Sequence, residues 1–243
     1  MTNQLIVSGE PDSIERFFAA IDGGFDSDKQ QIYIDFNKIK PMPEALNIES
    51  GSRSNEALEL YVEYLKELAD AAELSLLLSS RGTDAIKRRL DHLSEKQAVI
   101  HEKDPDLFSF GEKVFANLRD YGTPTWCEWR IENWGTKWNA ANQTRIDEAT
   151  IQFDTAWSGV PELMLELSRQ HPAVVLSYKY AEERWGANTG EFVFSGGQCL
   201  FDQQPYDHSP DANAITEELL GSLEAEDASD KEPEDDDWEQ GDD

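Results

Sequence analysis

Few places in this chain hold residues whose types and spacing could do chemistry. Glu182 and Glu183 stand side by side before Arg184, and paired carboxylates are a common source of general acid and base catalysis. Consecutive residues of an extended segment point to opposite faces, however, so these two acids do not converge on one substrate. His92 with Glu95 and His101 with Glu102 combine metal-ligating types, but neither pair has a recognised ligand spacing, and both read as solvated helix residues. Ser195-Gly196-Gly197 alone does not signify a phosphate site, and no HExxH, Walker loop, GxGxxG or Ser/His/Asp order is present. Cys127 and Cys199 lie far apart with no CxxC or Cys/His partner, and they read as buried thiols of a reducing compartment. Neither a metal nor a cofactor is implied.

The stretch Thr125 to Ala140 is more informative, because it holds four of the seven tryptophans. Helical spacing puts Trp126, Trp129, Arg130 and Asn133 on one face. Gly135, after Trp134, suits a left-handed helix end, with Thr136, Lys137 and Trp138 opening an extended segment. Two readings follow. The indoles are either a core clamp between parts of the fold, or the lining of a ligand pocket. In the second case Trp134, Trp138 and Trp157 would supply apolar walls, and Arg130, Asn133 and Lys137 polar contacts.

The elements that would position them follow from periodicity. Leu5, Ile6 and Val7 predict a first strand; Pro11, Ile14, Phe17, Phe18 and Ile21 predict a helix that Gly23 and Gly24 stop. Ile32, Ile34 and Phe36 alternate as a second strand up to Pro41-Met42-Pro43. Helical patterns then run from Ser54 to about Tyr121: a first stripe through Leu58, Tyr61, Leu65, Leu68 and Ala72, a second capped by Thr83 through Ile86, Leu90, Leu93 and Val99, and a third through Phe108, Phe115 and Leu118. Lys87, Arg88 and Arg89 form the one basic cluster, read as a solvated face. Beyond the tryptophans, Ile151, Phe153, Thr155 and Trp157 alternate as a strand, and Pro161 to Ser168 predicts a helix ended by His171-Pro172. Val174 to Tyr180 is a central strand, and Glu191 to Ser195 with Cys199 to Phe201 forms a hairpin around Gly196-Gly197. Ile215, Leu219 and Leu220 mark a last helix.

Charge bounds the partners. The 243 residues carry a formal net charge of -29, from 50 acidic and 21 basic side chains. Residues 224–243 hold 12 of the acids and one lysine, so -18 remains on residues 1–223. Direct binding to nucleic acid is disfavoured, because phosphates would be repelled. Basic protein surfaces remain as partners. The acidic tail, with Trp238 its one large apolar group, cannot bury enough to offset its ordering entropy and is expected to be disordered. No apolar run is long enough to span a bilayer and no basic leader opens the chain, so a cytoplasmic protein without membrane contact is expected.

Several segments together resemble the YubB-like family of enterobacterial plasmids and phages. They are Asn3 to Gly9, Phe36 to Pro43, Asn133-Trp134-Gly135-Thr136-Lys137-Trp138-Asn139-Ala140, Phe153-Asp154-Thr155-Ala156-Trp157-Ser158, and Tyr180 to Glu183. The resemblance covers most of residues 1–203 and implies a ferredoxin-like domain of unknown function; it brings no mechanism. Chain order independently predicts an α+β fold, a split β-α-β sheet with one added strand. Residues 1–223 would form this one domain, 44–135 being mainly a helical insertion, and 224–243 the tail. Two functions fit: a non-enzymatic acidic interaction protein of a mobile element that binds a basic surface of a host protein, or a small-molecule enzyme or sensor with a pocket between sheet and insertion.

Overall fold

The computed structural model describes residues 1–81, 87–88, 91, 95 and 104–221. They divide into two compact units, one combining residues 1–41 with those from 134 onward, the other comprising 42–133. The first is built on strand β1, Thr2–Gly9, whose residues alternate between core and partly exposed positions. Its Leu5 and Val7 are buried. Helix α1, Pro11–Ile21, follows with proline in the first turn, and it buries Phe17, Phe18 and Ile21.

The expected second strand is not there. Only Gly24–Phe25 and Gln31–Ile32, β2 and β3, pair in a small separate ribbon, and Phe36–Ile39 is a short helix, α2. Ile34 and Phe36 are fully buried, as alternation demanded, but their backbone is satisfied by side chains rather than by a ladder. The Ile34 amide donates to Gln143 Oε1 at 2.8 Å and the Phe36 amide to Asn139 Oδ1 at 2.9 Å. Asp35 caps α2 by accepting from the Asn37 amide.

The missing strand comes after the insertion, as β4, Ala141–Arg145, followed by β5, Thr150–Asp154. Helix α6, Pro161–Gln170, which follows α3, Ser52–Arg81, α4, Pro105–Tyr121, and α5, Trp126–Trp134, in the chain, leads to β6, Val174–Ala181, and then to the hairpin β7, Gly190–Ser195, and β8, Gln198–Gln203. The sheet order is β4-β5-β1-β6-β7-β8, antiparallel throughout. β4, β5, β1 and β6 with α1 and α6 make the split β-α-β arrangement, extended by the β7–β8 hairpin. The last helix, α7, Pro210–Leu220, packs Ile215 and Leu219 against Ala181. Lys179, beside Ala181 on β6, pairs with Glu218 of α7 and with Glu191 of β7.

The 42–133 unit holds α3, Ser52–Arg81, α4, Pro105–Tyr121, and most of α5, Trp126–Trp134. A Cβ on Gly111 would lie 2.1 Å from the Ala57 carbonyl oxygen, so glycine is what lets α3 and α4 touch backbone to backbone. Tyr61 packs on Phe108 and Phe115 beside this crossing. Leu68, Ala72 and Leu118, expected on apolar stripes, are exposed. Of the expected helix from Thr83 through Val99 only residues 87, 88, 91 and 95 are described; its apolar positions Ile86, Leu90, Leu93 and Val99 lie outside the described residues, as do His92, His101, Glu102, Arg89 and the acidic tail. Lys87, Arg88 and Glu95 are exposed helical residues.

The core of the first unit contains one closed polar network. The Tyr178 hydroxyl donates to Asn3 Oδ1 at 2.5 Å and accepts from the Val160 amide at 2.7 Å. Asn3 Nδ2 is shared among the Phe153 carbonyl, Thr155 Oγ1 and the Met1 carbonyl. Burial pushes the Tyr178 phenol above its ordinary range; burial, helped by Asp202, does the same to Tyr180. A raised phenol pKa favours folding below the unfolded value near pH 10, and that contribution is lost as pH rises further, because only the unfolded chain then ionises freely. Urea unfolding of Tyr178→Phe should show a loss of about 1–3 kcal/mol at neutral pH, since Asn3 and Val160 lose a buried partner. The same titrations repeated above about pH 10 should show wild-type stability falling more steeply than that of the variant.

Candidate functional site

The sequence-predicted site residues separate into three groups. Arg130 and Asn133 sit on α5 in the 42–133 unit. The Arg130 guanidinium lies over the Trp126 ring, 5.0 Å from its centroid, and Asn133 Nδ2 donates to the Trp129 carbonyl at 2.8 Å. Trp134 is core. Its side chain is fully buried, its Nε1 donates to the Lys40 carbonyl at 2.9 Å, and its ring meets Phe36 edge to face. It therefore lines no open pocket. Lys137, Trp138 and Trp157 come together at the surface, with Trp138 51% and Trp157 69% exposed.

Two loops bring that trio together. Gly135, at φ +79°, ends α5 in the left-handed region as expected, and Thr136-Lys137-Trp138 follow as a bend rather than a strand. The alternation of β5 was expected to continue to Trp157, but the chain leaves the sheet at Thr155, where Thr155 Oγ1 donates to the Ser158 carbonyl and closes a turn. The two loops are then stitched. Thr136 Oγ1 donates to the Ala156 carbonyl at 3.0 Å and accepts from the Ala156 amide at 3.1 Å, while Ser158 Oγ donates to the Gly135 carbonyl at 2.6 Å. Beneath them lies the Asn3–Tyr178 network, which holds Thr155 and Val160 at either end of the turn. Gly159 seats the turn on Tyr180; a Cβ there would lie 2.3 Å from the Tyr180 ring.

The result is an exposed aromatic pair with its own cation. The Trp138 and Trp157 centroids are 6.1 Å apart with the rings tilted by 41°, and Lys137 Nζ lies 5.0 Å from the first and 5.7 Å from the second. Those distances are in the range of cation–π attraction. Trp157 has φ +68°, a left-handed conformation that costs a bulky residue about 1–2 kcal/mol. A cleft of about 410 Å³ opens beside it, lined by Met1, Trp157, Glu182, Glu183 and Arg184. Arg184 reaches Asp207 at 3.8 Å, so the cleft presents carboxylates of both Glu182 and Glu183 beside a guanidinium that is itself paired. The remaining expectations resolve plainly. Glu182 and Glu183 are on a loop after β6 rather than on a strand, and both cysteines depart from the buried reading: Cys127 is half-buried, and Cys199 is exposed on the edge strand β8. Among the described residues no group of three or more His, Cys, Asp or Glu could hold a metal, and no helix is long and apolar enough to cross a membrane.

Residues 133–219 match the family model of the ferredoxin-like domain in Api92-like protein. Over these residues the chain is similar to that domain, in keeping with its ferredoxin-like fold. The match begins at Asn133, so it contains both loops of the aromatic pair and every strand except β1 and the small ribbon. A crystal structure of a protein Api92 from Yersinia pseudotuberculosis aligns over 86% of this chain and 98% of its own, at 14% identity and a TM-score of 0.40. No curated protein matches the chain.

Trp134 and Trp157 should respond oppositely to substitution. Trp134→Ala is expected to lower unfolding free energy by about 3–5 kcal/mol, the cost of emptying a packed indole site. Trp157→Asn should raise it by about 1 kcal/mol, because asparagine accepts a left-handed backbone more readily. Chemical denaturation of both variants beside wild type checks the pair; a large loss at Trp157 would mean that its ring is structural.

Proposed function

We propose that this protein is a non-enzymatic, acidic interaction protein of the kind carried by plasmids and phages, and that it docks on a basic surface of a host protein. The observation that supports this best is the placement of Trp138 and Trp157: two large apolar rings held in the open, one on a strained backbone. Strain of this kind persists where the surrounding structure imposes it, and it is commonest at sites of function. Exposed tryptophans at a rigid position are typical anchors of protein interfaces. The charge of the body favours a basic partner and would speed encounter with it, because -18 remains on residues 1–223 without the acidic tail. The mobile-element setting rests on the resemblance of the tryptophan and strand segments to the YubB-like family.

The test is affinity capture from a bacterial lysate with the full chain, at low and at high salt, followed by mass spectrometry. Proteins of high isoelectric point should be retained at low salt and released as salt screens the attraction. Trp157→Ala and Trp138→Ala should lose the same proteins while keeping the wild-type melting temperature. Retention that is indifferent both to salt and to these two substitutions would refute the proposal.

A further inference from the structure

We propose that the Trp138–Trp157 pair is a receptor for an arginine side chain of the partner, and that Lys137 is a resident cation which the incoming guanidinium displaces. This deepens the reading of the protein as a binder of basic surfaces and rests on it. The geometry supplies the first argument. Lys137 Nζ sits within 6 Å of both indole centroids, so the two rings already present their negative faces to a single positive charge. The pair is pre-shaped for a cation: the loops are tied by the Thr136–Ala156 and Ser158–Gly135 hydrogen bonds, and little ordering remains to be done on binding.

The choice of arginine follows from chemistry. An ammonium is strongly hydrated and acts as a point charge, whereas a guanidinium is planar, weakly hydrated and stacks on an aromatic face. Exchange of Lys137 for arginine over the rings returns the lysine head to water, where it is well solvated, and places the better stacking group on the indoles. Glu182 and Glu183 line the cleft that Trp157 borders, and carboxylates are the acceptors that match the fork of guanidinium donors. A neutral ligand gains neither interaction, and an anionic one would have to approach Glu182 and Glu183 although Arg184 lines the same cleft. Other features of the surface carry less: the carboxylates Asp12, Glu15 and Glu148 around a second cleft share it with Arg145, whose guanidinium is already held by the Asp147 and Glu148 carbonyls and the Phe18 ring, and the exposed edge strand β8 is interrupted by a bulge opposite Val193 and Phe194.

The experiment titrates the full chain with an acetylated, amidated Gly-Arg-Gly-Arg-Gly peptide, followed by tryptophan fluorescence and by the indole N–H resonances of Trp138 and Trp157. The lysine and citrulline versions of the peptide serve as controls. Saturable shifts of these two resonances are expected with the arginine peptide. They should weaken with lysine and vanish with citrulline, which keeps the shape but lacks the charge. Trp157→Ala and, separately, Trp138→Ala should abolish binding in folded protein, and Lys137→Gln should tighten it by about threefold, since the competing cation is gone. Equal binding of citrulline, lysine binding as tight as arginine, or weaker binding by Lys137→Gln would each overturn the assignment. If the peptide fails while salt-sensitive capture through Trp138 and Trp157 persists, the arginine receptor is wrong and the interaction reading stands; loss of both removes both.

Discussion

The rest of the structure depends on the buried hydrogen-bond relay between Asn3 on the central strand and Tyr178 on its neighbour. A buried amide and a buried phenol are costly in isolation, and here both are satisfied, because Asn3 donates to Phe153 and Thr155 while Tyr178 donates to Asn3 and accepts from Val160. The relay joins β1 to β6 and to the turn that leaves β5. It also fixes where that turn must go. Thr155 and Val160 are anchored from below, Ser158 and Ala156 are bonded to Gly135 and Thr136 from the side, and Trp157 is left at the apex with its ring largely exposed. The polar core thus specifies an aromatic surface.

Tryptophans close together in sequence acquire opposite roles for a simple geometric reason. Trp134 is the last residue of α5, and its ring lies against Phe36, which in turn meets Phe153 of the sheet. The left-handed Gly135 then reverses the backbone, so residues only a few positions further on emerge on the solvent side. One glycine separates an indole that holds the fold together from an indole that the fold displays. Its Cβ position has Gly159 and Val160 as nearest neighbours, none closer than 3.8 Å, so the requirement for glycine is conformational rather than steric.

Much of the framework was legible because burial and periodicity agreed. β1, α1, α6, β6 and the β7–β8 hairpin fall where their apolar spacing predicts. The errors share a cause, which is that alternation reports burial and not hydrogen bonding. Ile34 and Phe36 alternate and are buried, yet Gln143 and Asn139 satisfy their amides and no strand forms. β4 is the converse: Ala141-Asn142-Gln143-Thr144-Arg145 lacks an apolar face because it is an edge strand with no fully buried residue, and it pairs with β5 all the same. Cys199 misled in a similar way, since β8 is the other edge and its side chains are largely exposed. Within the candidate site, composition and spacing could single out Trp134, Lys137, Trp138 and Trp157. It could not show which of them would be buried, because that depends on where the backbone turns after β5.

The conformation of Trp157 bears on why such a pair would be kept at all. A surface loop is free to place glycine or asparagine wherever a left-handed backbone is needed, and this chain does so at Gly135, Gly186, Gly196 and Asn188, although Lys29 and His208 also take positive φ. At position 157 it places its largest residue type instead, exposed, and beside a lysine whose charge the ring attracts. Folding gains little from this choice, because an exposed ring buries little area while the strain is borne in full. Under the proposed function, the compensation comes from a partner that meets the ring from outside. A resident cation over both indoles shows what kind of group these faces favour, and an acidic body selects for the same charge at longer range. In the proposed function, short-range and long-range electrostatics therefore act on one class of partner, which neither the exposed rings nor the net charge would define alone.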